Sequence, residues 1–354
     1  MDGKINILAI DTSCDETAAA VTRGTKILAN IIWSQAALHA KFGGVMPALA
    51  QRMHRERIDW VIERAIKKSG IKTEEIGAVA VTAGPGLAIA LEVGIAKAKE
   101  LAEKWGKPLL GINHTEGHLL SPLARSKETR GADITSEEIF PAWGVVVSGG
   151  HTEIIAADKP GKYTVLAKTS DDALGEALDK AARMLGLGYP GGAILEKMAR
   201  SGKKSAYPLP LPMARQGTTD WLSYSGLKTA MYRLIGSMGN DLSEQQICDL
   251  AASFQNRAFQ HLERVVSAQI KKANNTSRRK YLLAGGGVIA NIELRRRLRR
   301  VAKENNLRLL VPYSLKLTGD NAAMIGVAAA FKTAKMATDF TAIDRLPRWS
   351  IEEV

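Results

Sequence analysis

The chain is written twice, and no other feature constrains its fold as strongly. The segments KINILAIDTSCDETAAAVTRGTKILAN and AWGVVVSGGHTEIIAADKPGKYTVLAK share one pattern. Each has an apolar run, a small polar turn, a second apolar run, a glycine-containing turn and a third apolar run, which predicts a three-stranded meander. A helical segment follows each, MPALAQRMHRERIDWVIERAIKK in the first half and DDALGEALDKAARML in the second. The pair AVAVTAGPGLAIALEVGIAKAKELAEKWGKPLLGINH and KYLLAGGGVIANIELRRRLRRVAKENNLRLLVPYS then matches more closely. Ala83-Gly84 aligns with Ala284-Gly285, and Gly111 with Pro312, at a common offset of 201 residues. Duplicated units of meander, helix, strand, helix, strand predict an α/β protein of two similar domains flanking a cleft. The expected domains are 1–125 and 139–325, joined by the polar stretch Ser126 to Glu138. A C-terminal helix at about 326–354 is expected to pack back on the first domain.

With 354 residues the chain can bury large cores. Its only cysteines, Cys14 and Cys248, exclude a disulfide framework and a zinc ribbon. No window approaches the roughly 18 consecutive apolar residues of a membrane span, and MDGKINILAIDTS lacks the features of a signal peptide. A cytoplasmic location and no membrane partner are the expectation. The net charge of +13 is unevenly placed. SRRKY is followed by ELRRRLRR, where Arg295, Arg296, Arg297, Arg299 and Arg300 must cover more than one helical face. Solubility alone would explain a basic balance, but this clustering points to a polyanion such as nucleic acid.

Three glycine-rich turns fall after predicted strands: AGPG at 83–86, SGG at 148–150 and AGGG at 284–287. Backbone N–H groups there can approach a phosphate closely. The simpler alternative is that these glycines only make tight turns.

The stretch HTEGH places His114 and His118 at i and i+4, on one helical face with Cβ atoms about 6 Å apart. They can share a metal. The order differs from the H-E-x-x-H of zinc proteases: Glu116 is turned about 200° from His114 and cannot serve a metal-bound water as general base. The repeat proposes the third ligand. Position 118 shifted by the offset gives 319, next to Asp320 in LTGDNAA, and two histidines with a carboxylate suit Zn(II) or Fe(II). The alternative is a helix start with solvent-facing histidines. Asp11, Asp15 and Glu16 follow the first strand, where they either orient substrate or magnesium or merely decorate a turn. Asp172, Glu176 and Asp179 share a helical stripe, as a solvated face or for ribose recognition. Asn291 is placed either to bond a base or to cap a helix. Cys14 has no neighbouring base and is a poor nucleophile candidate.

The motifs IDTSCDETAAAV, FGGVMPALAQRMH, AGPGLAIALEVG, NHTEGHLLSPL, VSGGHTEI, DDALGEALDKAARMLGLGYPGG, YSGLKTA, AGGGVIANIELR, TGDNAAMIG and LPRWS occur in the order of the TsaD family, which the chain resembles over essentially its whole length. VSGGHT is similar to the bacterial and organellar branch. The resemblance implies a duplicated actin-like ATPase fold of the sugar kinase and Hsp70 type. It implies transfer of threonylcarbamoyl from threonylcarbamoyl-adenylate to N6 of the adenosine 3′ of the anticodon, in tRNAs reading codons that begin with A. It assigns His114, His118 and Asp320 to one divalent ion. It assigns Val146, Val147, Ser148, Gly149, Gly150, Asp179, Gly192, Glu196 and Asn291 to substrate, and Asp15 and Glu16 to activity. It further implies a paralogous TsaB-type subunit and a small TsaE-type ATPase as partners. Ala48, Met53 and Glu196 depart from the residues usual in the family at those places. Two other functions fit parts of the pattern: a metalloprotease, and an ATP-dependent small-molecule kinase or carbamoyltransferase on the same fold.

Overall fold

A computed structural model describes residues 5–128, 136–214, 219–239, 241–273, 278–332, 337 and 339–354. Parts of the Ser126 to Glu138 joint, and Ser277 of SRRKY, lie outside the described residues. The chain divides into two compact units: residues 1–139, 158–163 and 310–354 in one, and 140–157 and 164–309 in the other.

The first unit opens with the meander β1 (Asn6–Asp11), β2 (Glu16–Arg23) and β3 (Lys26–Ser34). A short α1 (Ala36–Ala40) and the long α2 (Pro47–Ser69) follow, then β4 (Ile76–Gly84), α3 (Ala88–Trp105), β5 (Leu109–Asn113), α4 (His114–Leu120) and the single turn α5 (Ser136–Ile139). The sheet order is β3-β2-β1-β4-β5, antiparallel within the meander and parallel from β1 to β4 to β5. β1 is buried at every position, as a central strand with both faces covered must be. Leu8, Ile10, Val79 and Val81 meet Ile58, Val61 and Leu101 from α2 and α3 in one core.

The second sheet repeats this plan. Its strands are β6 (Ala142–Val147), β7 (Thr152–Lys159), β8 (Lys162–Thr169), β9 (Trp221–Leu222), β10 (Tyr281–Gly285) and β11 (Arg308–Leu310). The order β11-β10-β6-β7-β8-β9 places the meander β6-β7-β8 beside the two later strands, as in the first sheet, with β9 added at the edge. Among the described residues the α-helices of this unit are α6 (Leu174–Met184), α7 (Gly192–Ser201), α8 (Ser225–Met238), α9 (Glu244–Ala273) and α10 (Ile292–Glu304). The duplicated α/β plan expected from the repeat is therefore present.

The segment after β11 returns to the first unit. Its helix α11 (Ala322–Ala330) packs on β1 and β2, and Gly326 lets it approach Thr22 so closely that an added Cβ would lie 2.6 Å from Oγ1. The helix stops far short of the expected 326–354. Beyond it, Leu346 N–H donates to Ala83 O at 2.7 Å, Gly86 N–H to Pro347 O at 3.2 Å, and among the described residues only the 3₁₀ turn Ile351–Glu353 is helical. Pro347 removes a backbone donor, and the sequence around it has no helical apolar stripe to bury.

Candidate metal and adenylate sites

The metal candidate lies within the first unit. Strand β5 delivers α4 directly: Asn113 ends the strand and caps the helix, its Oδ1 accepting from Glu116 N–H at 3.1 Å. This is the side-chain cap a helix start requires. All seven residues of α4 are buried. On the other side Asp320 immediately precedes Asn321, whose side chain caps α11 by accepting from Met324 N–H at 3.1 Å. Two capped helix starts thus hold the three candidate ligands.

Asp320 Oδ1 lies 3.4 Å from His114 Nε2 and 3.1 Å from His118 Nε2. One donor atom from each residue falls within 4.8 Å of the others. Both imidazoles present the same nitrogen to the same carboxylate, and Nδ1 of His118 is buried without a hydrogen-bond partner. This donor set fits a divalent ion of the 2-His-1-carboxylate type. Burial lowers the pKa of His114, but the charge and hydrogen bond of Asp320 and the charge of Asp11 outweigh it and raise it to about 9. Burial keeps His118 below its usual value, aided by the charge on His114. Burial would raise Asp320, yet the His114 charge holds it well below the carboxylate range. Metal and proton therefore compete for one place.

The acidic turn belongs to the same unit. Asp15 O accepts from Gln35 N–H at 3.0 Å, and Glu16 Oε1 accepts from Ser34 Oγ at 3.1 Å. Behind the turn stand two fully buried histidines. His54 Nε2 donates to Cys14 O at 3.0 Å while its Nδ1 accepts from Thr17 Oγ1 at 2.8 Å. His39 joins through Gln35 Oε1 at 3.1 Å. Burial lowers the pKa of His54, in keeping with the neutral form these contacts use. Glu16 is pushed well above the carboxylate range by burial, then by Asp15 and Asp320. The Cys14 thiol is raised by burial and by Asp15, so it stays protonated and unreactive.

Glu116 does not face the metal ligands' work. It is fully buried, its Oε1 accepts from Tyr163 Oη at 2.9 Å, and its Oε2 pairs with Lys332 Nζ at 2.7 Å. Sequence reasoning missed Tyr163 and Lys332, because nothing local to either residue marks it. The glycine between Glu116 and His118 has a packing reason: a Cβ on Gly117 would stand 3.0 Å from Ile325 Cδ1 and 3.2 Å from Met324 Cγ.

The second unit holds the adenylate candidates. Val146 and Val147 are buried in β6. Ser148 ends the strand, its N–H donating to His151 O at 2.8 Å, and Gly149 and Gly150 are exposed with open space around them. Of the three glycine-rich turns, this one leaves its glycines open. In AGPG, an added Cβ on Gly84 would meet Leu346 O at 1.9 Å, and on Gly86 would meet Ser13 O at 2.6 Å. In AGGG, Gly286 (φ +100°) abuts the Val147 backbone, with Val147 O 2.3 Å from an added Cβ. Those glycines serve close backbone approach.

Asp179 Oδ1 accepts from the N–H groups of Gly191 and Gly192 at 2.9 and 2.8 Å and so shapes the start of α7. Glu196 Oε1 accepts from Ile292 N–H at 3.0 Å. Asn291 is the N-cap of α10, accepting from Leu294 N–H at 3.1 Å, and its amide also donates to Gln255 at 2.8 Å. Between α7, α9 and α10 lies a cavity of 340 Å³ lined by Glu196, Arg200, Gln255, Asn256, Ile292 and Arg296 among others.

The arginines of α10 do not share one surface. Arg297 is buried, donating to Glu293 at 2.9 Å and Asn256 at 2.6 Å, with Glu263 at 3.3 Å. Arg296 pairs with Glu293 at 2.8 Å, Arg300 pairs with Glu263, and half-buried Arg295 donates to Ile289 O at 2.5 Å. Arg296, Arg299 and Arg300 are exposed.

Comparison with known proteins agrees with this architecture. The family model described as tRNA N6-adenosine threonylcarbamoyltransferase, TsaD, matches residues 26–327. A protein of that name from Chelativorans sp. (strain BNC1) is 42% identical over 98% of this chain and 95% of its own length. One from Thermosynechococcus vestitus is 45% identical over 92% of this chain and 90% of its own. Among solved structures, HypF of T. kodakarensis matches 94% of this chain at a TM-score of 0.60 and 13% identity. This chain spans about half of HypF (48%), so that likeness speaks for the fold alone. With a family match over most of its length and full-length relatives above 40% identity, the chain belongs to the TsaD family of tRNA N6-adenosine threonylcarbamoyltransferases.

Proposed function

We propose that the chain transfers threonylcarbamoyl from threonylcarbamoyl-adenylate to N6 of the adenosine 3′ of the anticodon, releasing AMP, with one divalent ion, Fe(II) or Zn(II), held by His114, His118 and Asp320. The observation that carries this reading is the convergence of those three donors within 4.8 Å in a chain of this family. Bound there, the ion would supply Lewis-acid polarisation of the donor's acyl group.

The remaining roles fall to side chains and backbone of the chain itself. The donor is a mixed anhydride with a good leaving group, so no protein nucleophile is required, and the protonated Cys14 is consistent with that. The C–N6 bond forms as the acyl–phosphate bond breaks, and the proton leaving N6 needs an acceptor. We assign Glu16, at the acidic turn after β1, to take it. The exposed backbone of Gly149 and Gly150 is suited to a phosphate. Asp179, Gly192, Glu196 and Asn291 border or build the α7 and α10 helix starts, and we assign them to the nucleotide. Exposed Arg296, Arg299 and Arg300 are assigned to the tRNA backbone. The paralogous subunit and small ATPase implied by the resemblance are proposed partners. No described helix is long and apolar enough to cross a membrane, and a cytoplasmic location suits a tRNA substrate.

The protease alternative requires a free carboxylate beside the ion. Glu116, the residue the motif would use, is committed to Lys332 and Tyr163.

The test is nucleoside mass spectrometry of tRNA from cells depleted of the protein and complemented with wild type or His114→Ala. Wild type should restore threonylcarbamoyl-adenosine, and the variant should lose both bound metal and the modification. Modification that persists in depleted cells would refute the transferase reading. Full modification by a metal-free variant would refute the role of the ion.

A further inference from the structure

Of the three ionisable residues of HTEGH, Glu116 is the one that the proposed chemistry leaves without work, and it is fully buried. The helix that carries it has only seven residues. A helix of two turns does not hold its own geometry in isolation, so whatever fixes α4 fixes the two histidines. Three contacts do so. Asn113 caps the start and its amide donates to Trp349 O at 3.1 Å. Gly117 seats the helix against Met324 and Ile325 of α11. Glu116, on the face opposite His114 and His118, binds Tyr163 Oη and Lys332 Nζ.

The third contact is chemically unusual. All three side chains are buried, and the Lys332 ammonium lies 5.7 Å from the centre of the Trp349 ring. Burying a carboxylate with an ammonium does not stabilise a fold relative to apolar residues of similar volume. Direction comes from Tyr163, whose hydrogen bond to the Glu116 carboxylate fixes angle and distance where methylene contacts allow sliding, and the Lys332 ammonium 2.7 Å from Oε2 adds attraction to the same side chain. The placement of the partners is informative. Asp320 stands just before α11 and Lys332 just after it, so one rigid helix sets the third ligand and the anchor of the other two. Tyr163, at the tip of the β7–β8 hairpin, completes the grip.

We propose that Glu116, Lys332 and Tyr163 are positioning residues: they fix the rotation of α4 about its axis and thereby the place at which His114 and His118 meet Asp320. The inference rests on the metal reading above.

The experiment is a titration of metal-free protein with Co(II), followed by calorimetry and by the visible absorption spectrum, on wild type, the double variant Glu116→Leu/Lys332→Met, and Tyr163→Phe. The double variant removes both charges without stranding either. It should melt within a few degrees of wild type but bind Co(II) ~10–100-fold more weakly, with a changed ligand-field spectrum. A purely structural cluster predicts wild-type affinity and spectrum in the refolded double variant, and that result would overturn the proposal. If the double variant does not fold, Tyr163→Phe decides. A weaker, spectrally altered Co(II) complex supports the proposal, and an unchanged complex overturns it. Failure of wild type to bind Co(II) or Zn(II) would instead remove the metal reading, and this inference with it.

Discussion

At the scale of single residues, the HTEGH motif is crowded with separate duties. His114 and His118 face Asp320, Glu116 faces Lys332, and Gly117 faces α11. Only Gly117 has no functional group, and its role is absence of a Cβ. Gly117→Ala should press on Ile325 and Met324 and cost about 1–2 kcal/mol, read as a melting temperature lower by several degrees and a weaker affinity for divalent metal. Unchanged stability would show that α11 yields easily. His261 makes a second residue-scale case. It is fully buried, Nε2 accepts from Ser223 N–H at 3.2 Å, and Nδ1 faces Arg264 at 3.4 Å. Burial, then the Arg264 charge, lowers its pKa to about 4. The unfolded chain therefore binds the extra proton first as pH falls below about 6.5, so the stability His261 contributes is present at neutral pH and is lost progressively between pH 6.5 and 4. His261→Gln should flatten the decline in that window, measured by denaturant titration at a series of pH values. An identical decline in the variant would place the cause elsewhere.

At the scale of elements, α10 shows how a charge run divides its work. Leu294, Leu298 and Val301 recur at helical spacing and face the core. Arg297 lies on that same stripe, three residues after Leu294 and four before Val301, so it must turn inward, where Glu293, Glu263 and Asn256 receive it. The periodicity that buries it is present in ELRRRLRRV and is hidden by five arginines reading as one patch. The two classes of arginine should separate by experiment. Arg297→Ala removes the buried guanidinium that Glu293, Glu263 and Asn256 share and should cost about 2–3 kcal/mol, seen in the denaturation midpoint. Arg299→Glu and Arg300→Glu should leave the midpoint within about 1 kcal/mol while weakening tRNA binding and reducing its salt dependence. If their tRNA affinity matches wild type at low salt, this helix is not the tRNA surface. The glycine-rich turns divide in the same way: SGG stays open, while AGPG receives the C-terminal segment and AGGG receives β6.

At the scale of the whole molecule, the repeat determined most of what could be read in advance. Apolar runs of strand length, glycine turns and helical stripes are local signals, and their recurrence at a constant offset named the fold plan before any contact was known. The repeat also pointed to Asp320 through its constant offset, although Asp320 lies well past the end of β11, just before α11 and in the first unit. The histidine pair was legible because i and i+4 share a helix face. Other features had no local signal. Tyr163 reaches Glu116 across 47 residues and Lys332 lies 216 residues beyond it in the sequence. Each is one ordinary side chain in an ordinary stretch, and only chain folding brings them together. The course of the C-terminal segment, the inward turn of Arg297, and the choice of which glycines stay open were likewise tertiary outcomes. They depend on which backbone arrives at a given surface, a quantity set by long-range packing and not by neighbours in the chain. The sequence by itself determined the duplicated α/β plan and the metal-ligand face of HTEGH. The tertiary structure alone decided what holds that face in place.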